Sequence, residues 1–212
     1  MSDIFRTSYK VIILGQGQVG KSSLIKRLVQ DKFELSIPMS TGMNEYTKLI
    51  SVDDQNIILH LWDTAGQEAY QSIVPLYFKG CRAAIIVYDI TNELSFKKVS
   101  YWLVQVKELA PSDSLIMMIG NKVDLEEQRA VPKKVAIDLA KNSNMLYFET
   151  SCLTAHNVEL AFLELGKKLN INCKVNEGER FESTGGRKLV MNPENRTGDK
   201  GGCCKGGKSK KR

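Results

Sequence analysis

GQGQVGKS, residues 15–22, lies between the apolar run VIIL at 11–14 and the helix-like run SLIKRLV at 23–29. It matches G-x-x-x-x-G-K-[ST] in the strand, loop, helix context that gives this pattern its meaning. In such a loop, backbone amides turn toward a phosphate, the lysine contacts β- and γ-phosphates, and the serine hydroxyl reaches Mg²⁺. A chance glycine-rich turn is the alternative. The predicted nucleotide contacts are Gly15, Gly17, Gln18, Val19, Gly20, Lys21, Ser22 and Ser23.

Strand-like and helix-like segments alternate along the rest of the chain. Continuous apolar runs such as AIIVY at 84–88 and LIMMI at 115–119 are typical of strands buried on both faces. YTKLISV at 46–52 and IILHLW at 57–62 are too close together for a crossover helix, so they predict an antiparallel hairpin. The predicted fold is α/β and Rossmann-like: a six-stranded, mainly parallel sheet with one antiparallel edge strand and helices on both faces.

Charge is distributed unevenly along the 212 residues. Residues 173–212 hold eleven Lys or Arg against five Asp or Glu, whereas the preceding residues are balanced. A neutral body with a basic end favours attraction to a membrane surface and argues against nucleic acid. We expect a single domain at 8–172 and a disordered tail at 173–212, because the tail has few large apolar residues.

Two further features of the sequence indicate the compartment. The sequence has no secretion signal and no apolar run long enough to span a membrane, which predicts a cytosolic body. Its five cysteines are odd in number and show no CxxC pair, so we expect reduced thiols.

The predicted strand that contains IILHLW ends in LWDTAGQE, residues 61–68. Asp63 would stand at the carboxyl end of that strand, where ligands of open α/β sheets bind, and can hold the Mg²⁺ shell. Gly66 could turn a peptide toward the γ-phosphate and Gln67 could orient the attacking water. A plain turn would explain DTAG by itself, and the preceding loop favours the site.

NKVD, residues 121–124, indicates which base is bound. Asp124 can accept hydrogen bonds from N1 and the exocyclic amine of guanine, a pair of donors that adenine does not present. Asn121 would tie loops together, and the stem of Lys122 would cover the ring. The last strand ends in ETSCL, residues 149–153, from which Ser151, Cys152 and Leu153 could offer backbone amides to the guanine oxygen.

Together these four segments resemble the Ras superfamily of small GTPases over residues 8–170. YQSIVPLYFKG at 70–80, AAIIVYDIT at 83–91 and SFKKVSYW at 95–102 resemble the Rab branch, most closely the Rab proteins of early endosomes. The resemblance implies a P-loop G domain that binds GTP or GDP with Mg²⁺, with Gln67 and Lys21 as catalytic residues. It also implies a monomeric switch in endocytic vesicle trafficking, whose hydrolysis is slow without a GAP and which needs an exchange factor.

In the first switch, STGMNE at 40–45, the sequence departs from the family's T-I-G-x-x-F. Ungapped counting puts Ser40 in the place of the Mg²⁺-binding Thr, while a shift by one would use Thr41. We favour the ungapped register, because Tyr46, Ile50 and Val52 then point inward and Glu45 faces water. Effectors would bind through Trp62, Tyr77 and the switch loops, with Glu45 replacing the third surface aromatic residue.

Two more positions follow from the resemblance. Phe33 stands where the family has an aromatic residue at the edge of guanine, although a core-facing phenylalanine is an equal alternative. The family's Ser-Ala-Lys appears as Ser151, Cys152 and Leu153, which keeps the backbone contacts and loses those of the lysine side chain.

The tail also departs from the family, because eight residues follow Cys203 and Cys204. These cysteines are candidates for lipidation by prenylation machinery, with an escort protein and with basic residues at the membrane surface. Idle thiols on a solubilising tail are the alternative. We expect the protein in the cytosol and on the cytoplasmic face of intracellular membranes, with endosomes as the expected membrane.

Two rival functions follow from the sequence. One is an ATP-dependent P-loop enzyme, against which NKVD argues. The other is a guanine-nucleotide-binding module with impaired switching, which the altered first switch suggests.

Overall fold

Strands and helices alternate through the computed structural model, which describes residues 7–34, 44–53, 55–64 and 77–183, with side chains up to residue 172. The strands are β1 Thr7–Leu14, β2 Asn44–Val52, β3 Gln55–Asp63, β4 Ala83–Asp89, β5 Leu115–Asn121 and β6 Leu146–Thr150. The helices are α1 Lys21–Gln30, α2 Glu93–Leu109, α3 Lys133–Asn142 and α4 Val158–Ser183, with a 3₁₀ helix at Val123–Gln128.

All six strands form one sheet in the order β2-β3-β1-β4-β5-β6. Edge strand β2 runs antiparallel to β3, and the other neighbouring strands are parallel. This arrangement confirms the predicted α/β fold with one antiparallel edge strand. The five parallel strands therefore deliver their carboxyl ends to one edge of the sheet, where Gly15, Asp63, Asp89, Asn121 and Ser151 end or follow a strand.

The sheet is buried on both faces, as its apolar runs require. On β1, Val11 and Ile13 belong to the cluster beneath α1 and α4, whereas Ile12 and Leu14 belong to the cluster beneath α2 and α3. This alternation follows from the two-residue period of a strand. Asn92 caps the N-terminus of helix α2: its Oδ1 accepts a hydrogen bond from the Ser95 amide at 3.1 Å.

The hairpin of β2 and β3 has the register that the ungapped alignment predicts. Ile50 and Val52 are buried and Tyr46 is half-buried, while Glu45, Thr47 and Ser51 are exposed. Because side chains alternate between faces, a slip by one residue would exchange these two sets. The predicted orientation of β2 is thus confirmed.

Helix α4 continues to Ser183, past the predicted domain boundary at 172. Extending an existing helix is cheap, because each further residue gains a hydrogen bond for one newly fixed residue. The sequence-based expectation of disorder from 173 onward thus differs from the structure over 173–183. Residues 184–212 lie outside the described part of the chain.

Candidate functional site

The loop between β1 and α1 is shaped by close backbone packing. A Cβ on Gly15 would overlap the carbonyl oxygen of Val87, and a Cβ on Gly20 would overlap Asn121 Nδ2. Gly20 also has a φ of 97°, a conformation that L side chains rarely adopt. The pattern therefore places glycine at positions where β4 and β5 press against the loop.

Lys21 begins α1 and is 6% exposed. Its ammonium donates hydrogen bonds to the carbonyl oxygens of Gly15 and Gln16, each at 2.9 Å. Burial lowers the pKa of Lys21 to about 8, and the nearby carboxylate of Asp63 opposes that shift. A buried lysine at the start of α1 fits an anionic ligand in this loop, because phosphate oxygens would favour its charged form.

Ser22 and Asp63 lie together beside the loop. The Ser22 hydroxyl donates to Asp63 Oδ2 at 2.5 Å, and Asp63 is 1% exposed at the end of β3. The next residue, Thr64, donates to the Ile13 carbonyl at 2.6 Å, which fixes the exit from the strand. A hydroxyl and a carboxylate at this distance are hard oxygen donors of the kind that Mg²⁺ takes when phosphates complete its shell.

Ser22 and Asp63 are not part of a larger cluster of metal-binding side chains among the described residues. Among the described residues, no group of three or more His, Cys, Asp or Glu is placed to hold a metal ion. Magnesium sites that use one carboxylate and substrate phosphates need no such group. The donors present thus fit a Mg²⁺ that arrives with its nucleotide.

Asn121 joins three segments of the site at the end of β5, where it is 1% exposed. Its Nδ2 donates to the Val19 carbonyl in the P-loop at 2.9 Å. Its Oδ1 accepts from Thr150 Oγ1 at 3.2 Å and from Cys152 Sγ at 3.4 Å. The side chain therefore couples the phosphate loop to the loop after β6.

Lys122 and Asp124 follow Asn121 closely in the chain. Asp124 is exposed, and its Oδ1 accepts a hydrogen bond from Ser151 Oγ at 2.5 Å. Lys122 adopts a φ of 70°, and its ammonium lies 2.5 Å from Oδ2 of Asp89, whose side chain is 8% exposed. These contacts orient an exposed carboxylate at Asp124 and tie the ammonium of Lys122 to the end of β4.

The remaining predicted contacts surround the same edge. Cys152 is a free, buried thiol whose pKa burial raises to about 11, while Leu153 is 49% exposed. Phe33 is half-buried and packs against the core cluster beneath α1, so both of its predicted roles remain consistent with its place. Gly17, Gln18 and Ser23 lie in or directly after the loop.

The surface predicted to bind effectors has an unusual polar member. Glu45 Oε1 lies 2.7 Å from His60 Nδ1 on the neighbouring strand, and both side chains are exposed. Trp62 and Tyr77 are half-buried against the core beneath α2, and the Lys10 ammonium lies 4.4 Å from the centre of the Trp62 ring. The surface therefore combines an aromatic residue under a lysine ammonium with a glutamate–histidine contact.

Several predicted site residues lie outside the described residues: Ser40, Thr41, Gly66, Gln67, Cys203 and Cys204.

Sequence reasoning missed Arg27, in the last turn of α1. Its Nε donates to the Cys152 carbonyl at 2.8 Å, and its Nη2 donates to the Leu153 carbonyl at 3.2 Å. A basic residue near a helix C-terminus usually indicates interaction with the helix dipole, and the sequence carries no signal for a partner far along the chain. Asp89 was also missed, although its position at a strand end could have suggested it.

The sequence of this chain is similar to those of known proteins over most of its length. The family described as "Ras family" matches residues 10–171. The chain is 34% identical over 204 residues to Ras-related protein RABA4d of Arabidopsis thaliana, covering 92% of each chain. It is 39% identical over 177 residues to GTP-binding protein ypt5 of Schizosaccharomyces pombe, covering 82% of this chain and 84% of the relative. It is 41% identical over 157 residues to Ras-related protein Rab-11C of Dictyostelium discoideum, covering 74% of this chain and 70% of the relative.

Proposed function

The chain belongs to the Ras family of small GTPases, in its Rab branch, and we propose which of its residues carry out the nucleotide cycle of that family. As a Rab GTPase it binds GTP and GDP with Mg²⁺, hydrolyses GTP and regulates vesicle trafficking. The observation that carries the residue-level proposal is the junction at Asn121, which ties the P-loop to the loop after β6. One ligand that spans both loops would have its phosphates at Lys21 and its base at Asp124.

Guanine is recognised at the outer end of this junction. Asp124 is exposed and held by Ser151 Oγ at 2.5 Å, so its carboxylate is oriented yet accessible. It accepts hydrogen bonds from guanine N1 and the exocyclic amine, and backbone amides of 151–153 face the guanine oxygen. The stem of Lys122, anchored on Asp89, covers one face of the ring, and Phe33 lies at its edge.

The phosphates and Mg²⁺ occupy the inner end. Lys21 exchanges the Gly15 and Gln16 carbonyls for phosphate oxygens, and the dipole of α1 adds partial positive charge. Ser22 and Asp63 hold the Mg²⁺ shell, and Ser40 completes it in the GTP state. The bound Mg²⁺ supplies charge neutralisation at the β- and γ-phosphates.

Hydrolysis depends on positioning more than on acid or base chemistry. Gln67 orients the attacking water, Gly66 contacts the γ-phosphate and Lys21 stabilises the developing charge. The chain has no inserted domain between its motifs that would supply an arginine, so hydrolysis is slow until a GAP binds.

The tail and the switch surface carry the partner interactions. Among the described helices, none is long and apolar enough to cross a membrane. Attachment to an endosomal membrane through lipids on Cys203 and Cys204, assisted by the basic residues around them, is consistent with the family and with the tail's charge. Effectors approach Trp62, Tyr77 and the switch loops.

Base recognition is tested with Asp124→Asn. The side chain of asparagine can accept a hydrogen bond from N1 and donate one to the carbonyl that xanthine has at C2. The variant should therefore bind GDP more weakly and xanthosine diphosphate more tightly than wild type does. Loss of two charge-assisted hydrogen bonds should weaken GDP binding by at least about a hundredfold. Fluorescent GDP, competed by unlabelled GDP, xanthosine diphosphate and ATP with and without Mg²⁺, gives each affinity.

A matched control is Asp113→Asn, which removes a carboxylate paired with Arg82 just before the amino end of β5. It should leave all affinities within about twofold, because it lies at the opposite edge of the sheet. If Asp124→Asn keeps the preference for GDP, or if ATP competes, the base does not lie at Asp124 and the proposed site is wrong.

A further inference from the structure

Arg27 connects two segments that are far apart in sequence. From the last turn of α1 its Nε donates to the Cys152 carbonyl at 2.8 Å and its Nη2 to the Leu153 carbonyl at 3.2 Å. Its Nη1 donates to the Asp31 carbonyl at 3.1 Å and to Asp31 Oδ1 at 3.0 Å. The side chain is 14% exposed, whereas the Asp31 side chain is 88% exposed.

The two segments that Arg27 joins flank the proposed place of the base. Cys152 and Leu153 belong to the loop whose amides face guanine, and Asp31 comes two residues before Phe33 at its edge. Arg27 donates to three backbone carbonyls, and each carbonyl belongs to a planar peptide group. Holding the carbonyl therefore also fixes the direction of the amide N–H in the same peptide. A rigid planar donor with several N–H groups can hold several such peptides at once.

We use the word clamp for the hydrogen bonds of Arg27 to Asp31, Cys152 and Leu153, and helix α1 gives this clamp a fixed geometry. Its first residue, Lys21, lies at the proposed phosphate site, and Arg27 lies in its last turn. Asp31, in the left-handed conformation, is the C-cap of the same helix. Six residues separate Lys21 from Arg27, about 9 Å along the helix axis. The same element therefore contacts the phosphate end of the site and the base end.

We propose that Arg27 is a positioning residue that slows nucleotide release by holding the guanine loop and the residues before Phe33 against the base. This inference rests on the proposed placement of guanine at Asp124. It does not invoke the Mg²⁺ and phosphate contacts, because the hydrogen bonds of Arg27 among the described residues go to Asp31, Cys152 and Leu153 and not to residues 15–22.

The test measures dissociation of fluorescent GDP from the full chain, with Mg²⁺ and with excess EDTA. Arg27→Met keeps the apolar stem and removes every donor. Loss of the equivalent of one charge-assisted hydrogen bond predicts about tenfold faster release. The free-energy contributions of Arg27 and of Mg²⁺ to nucleotide retention should add if they are independent. Arg27→Met should therefore accelerate GDP release by the same factor with Mg²⁺ and with EDTA. Ser22→Ala should instead accelerate release mainly when Mg²⁺ is present.

Three further variants separate the clamp from general effects. Asp31→Asn removes the exposed ion pair, keeps the backbone carbonyl and tolerates the left-handed conformation, so release should change by less than about twofold. Arg82→Met removes another surface arginine pair, outside the site, and should also have no effect. Arg27→Lys keeps the charge without the fork, so it should accelerate release by a smaller factor than Arg27→Met.

Urea unfolding of nucleotide-free protein shows whether each variant folds. Unchanged release in folded Arg27→Met overturns the clamp, as does acceleration that Asp31→Asn reproduces or that disappears in EDTA. The Asp124→Asn competition is run beside it. If that variant fails to change base preference, the proposed site is wrong; if it succeeds and Arg27→Met releases GDP normally, only the clamp is wrong.

Discussion

Replacing Gly20 by alanine tests the contact between the P-loop and Asn121. The residue has a φ of 97°, and its Cβ would overlap Asn121 Nδ2. The left-handed backbone costs an alanine about 1–2 kcal/mol. Displacing the Asn121 amide also breaks its bond to the Val19 carbonyl and leaves a buried group without its partner, which costs about 1–3 kcal/mol. Gly20→Ala should therefore lower the free energy of unfolding by about 2–5 kcal/mol.

The matched control is Gly80→Ala. Gly80 has a φ of 70°, and a Cβ there would meet nothing within 4 Å, so this substitution adds backbone strain without a clash. It should lower the free energy of unfolding by only about 1–2 kcal/mol. The difference between the two variants isolates the displacement of Asn121.

Urea unfolding is measured for wild type and both variants, without nucleotide and with saturating GDP. At a fixed GDP concentration, ligand binding adds to the free energy of unfolding by an amount that grows with the logarithm of the affinity, so the added stability reports the binding constant in each variant. GDP should stabilise Gly20→Ala less than wild type and should stabilise Gly80→Ala as much as wild type. Equal losses of unfolding free energy in the two variants, with equal gains from GDP, would refute the role assigned to the Asn121 contact.

Other outcomes follow from the titrating groups and the first switch. Burial lowers the pKa of Lys21 to about 8 and bound phosphates favour its charged form, so GDP binding takes up a proton above that pH. Affinity measured by titration should be level below pH 8 and fall above it, whereas Lys21→Met should bind weakly at every pH. Burial alone would raise the pKa of Glu149, but hydrogen bonds from Arg129 and Tyr147 hold it below its usual value. Its stabilising effect is thus present above the unfolded pKa and lost as pH falls through the folded pKa, so acid unfolding of Glu149→Gln should show a shallower dependence on pH. Ser40→Thr should strengthen Mg²⁺-dependent binding of a non-hydrolysable GTP analogue, and an unchanged affinity would count against Ser40 as a ligand.

The sequence predicted the sheet because local patterns determine it. Continuous apolar runs identified β4 and β5, and the short connection between β2 and β3 allowed only a hairpin. The register of β2 followed from the alternation of Ile50 and Val52 with Ser51, since one face of the strand is buried. The end of α4 could not be found in this way, because the apolar pattern that marks a packed helix stops before the helix does.

Predicting the site from the sequence succeeded only in part, for a physical reason. Motif residues such as Asp63 and Asn121 end their strands, and parallel strands bring their carboxyl ends to one edge, so pattern and fold together predict their proximity. Arg27 lies on a helix surface and meets a loop more than a hundred residues away. Such a contact depends on how α1 packs beside the loop after β6, which no local pattern records.

Cys152, at the position where the resemblance to the family places alanine, is accommodated by burial. Cys152 is 4% exposed, and its Sγ lies 3.4 Å from Asn121 Oδ1, toward which it donates. Burial raises the pKa of this thiol to about 11, so at neutral pH it keeps its proton and remains a donor. A thiolate would instead place a negative charge beside the Asn121 oxygen and near the Asp124 carboxylate. The same burial that fits the larger side chain therefore keeps it in the protonation state that the junction at Asn121 requires.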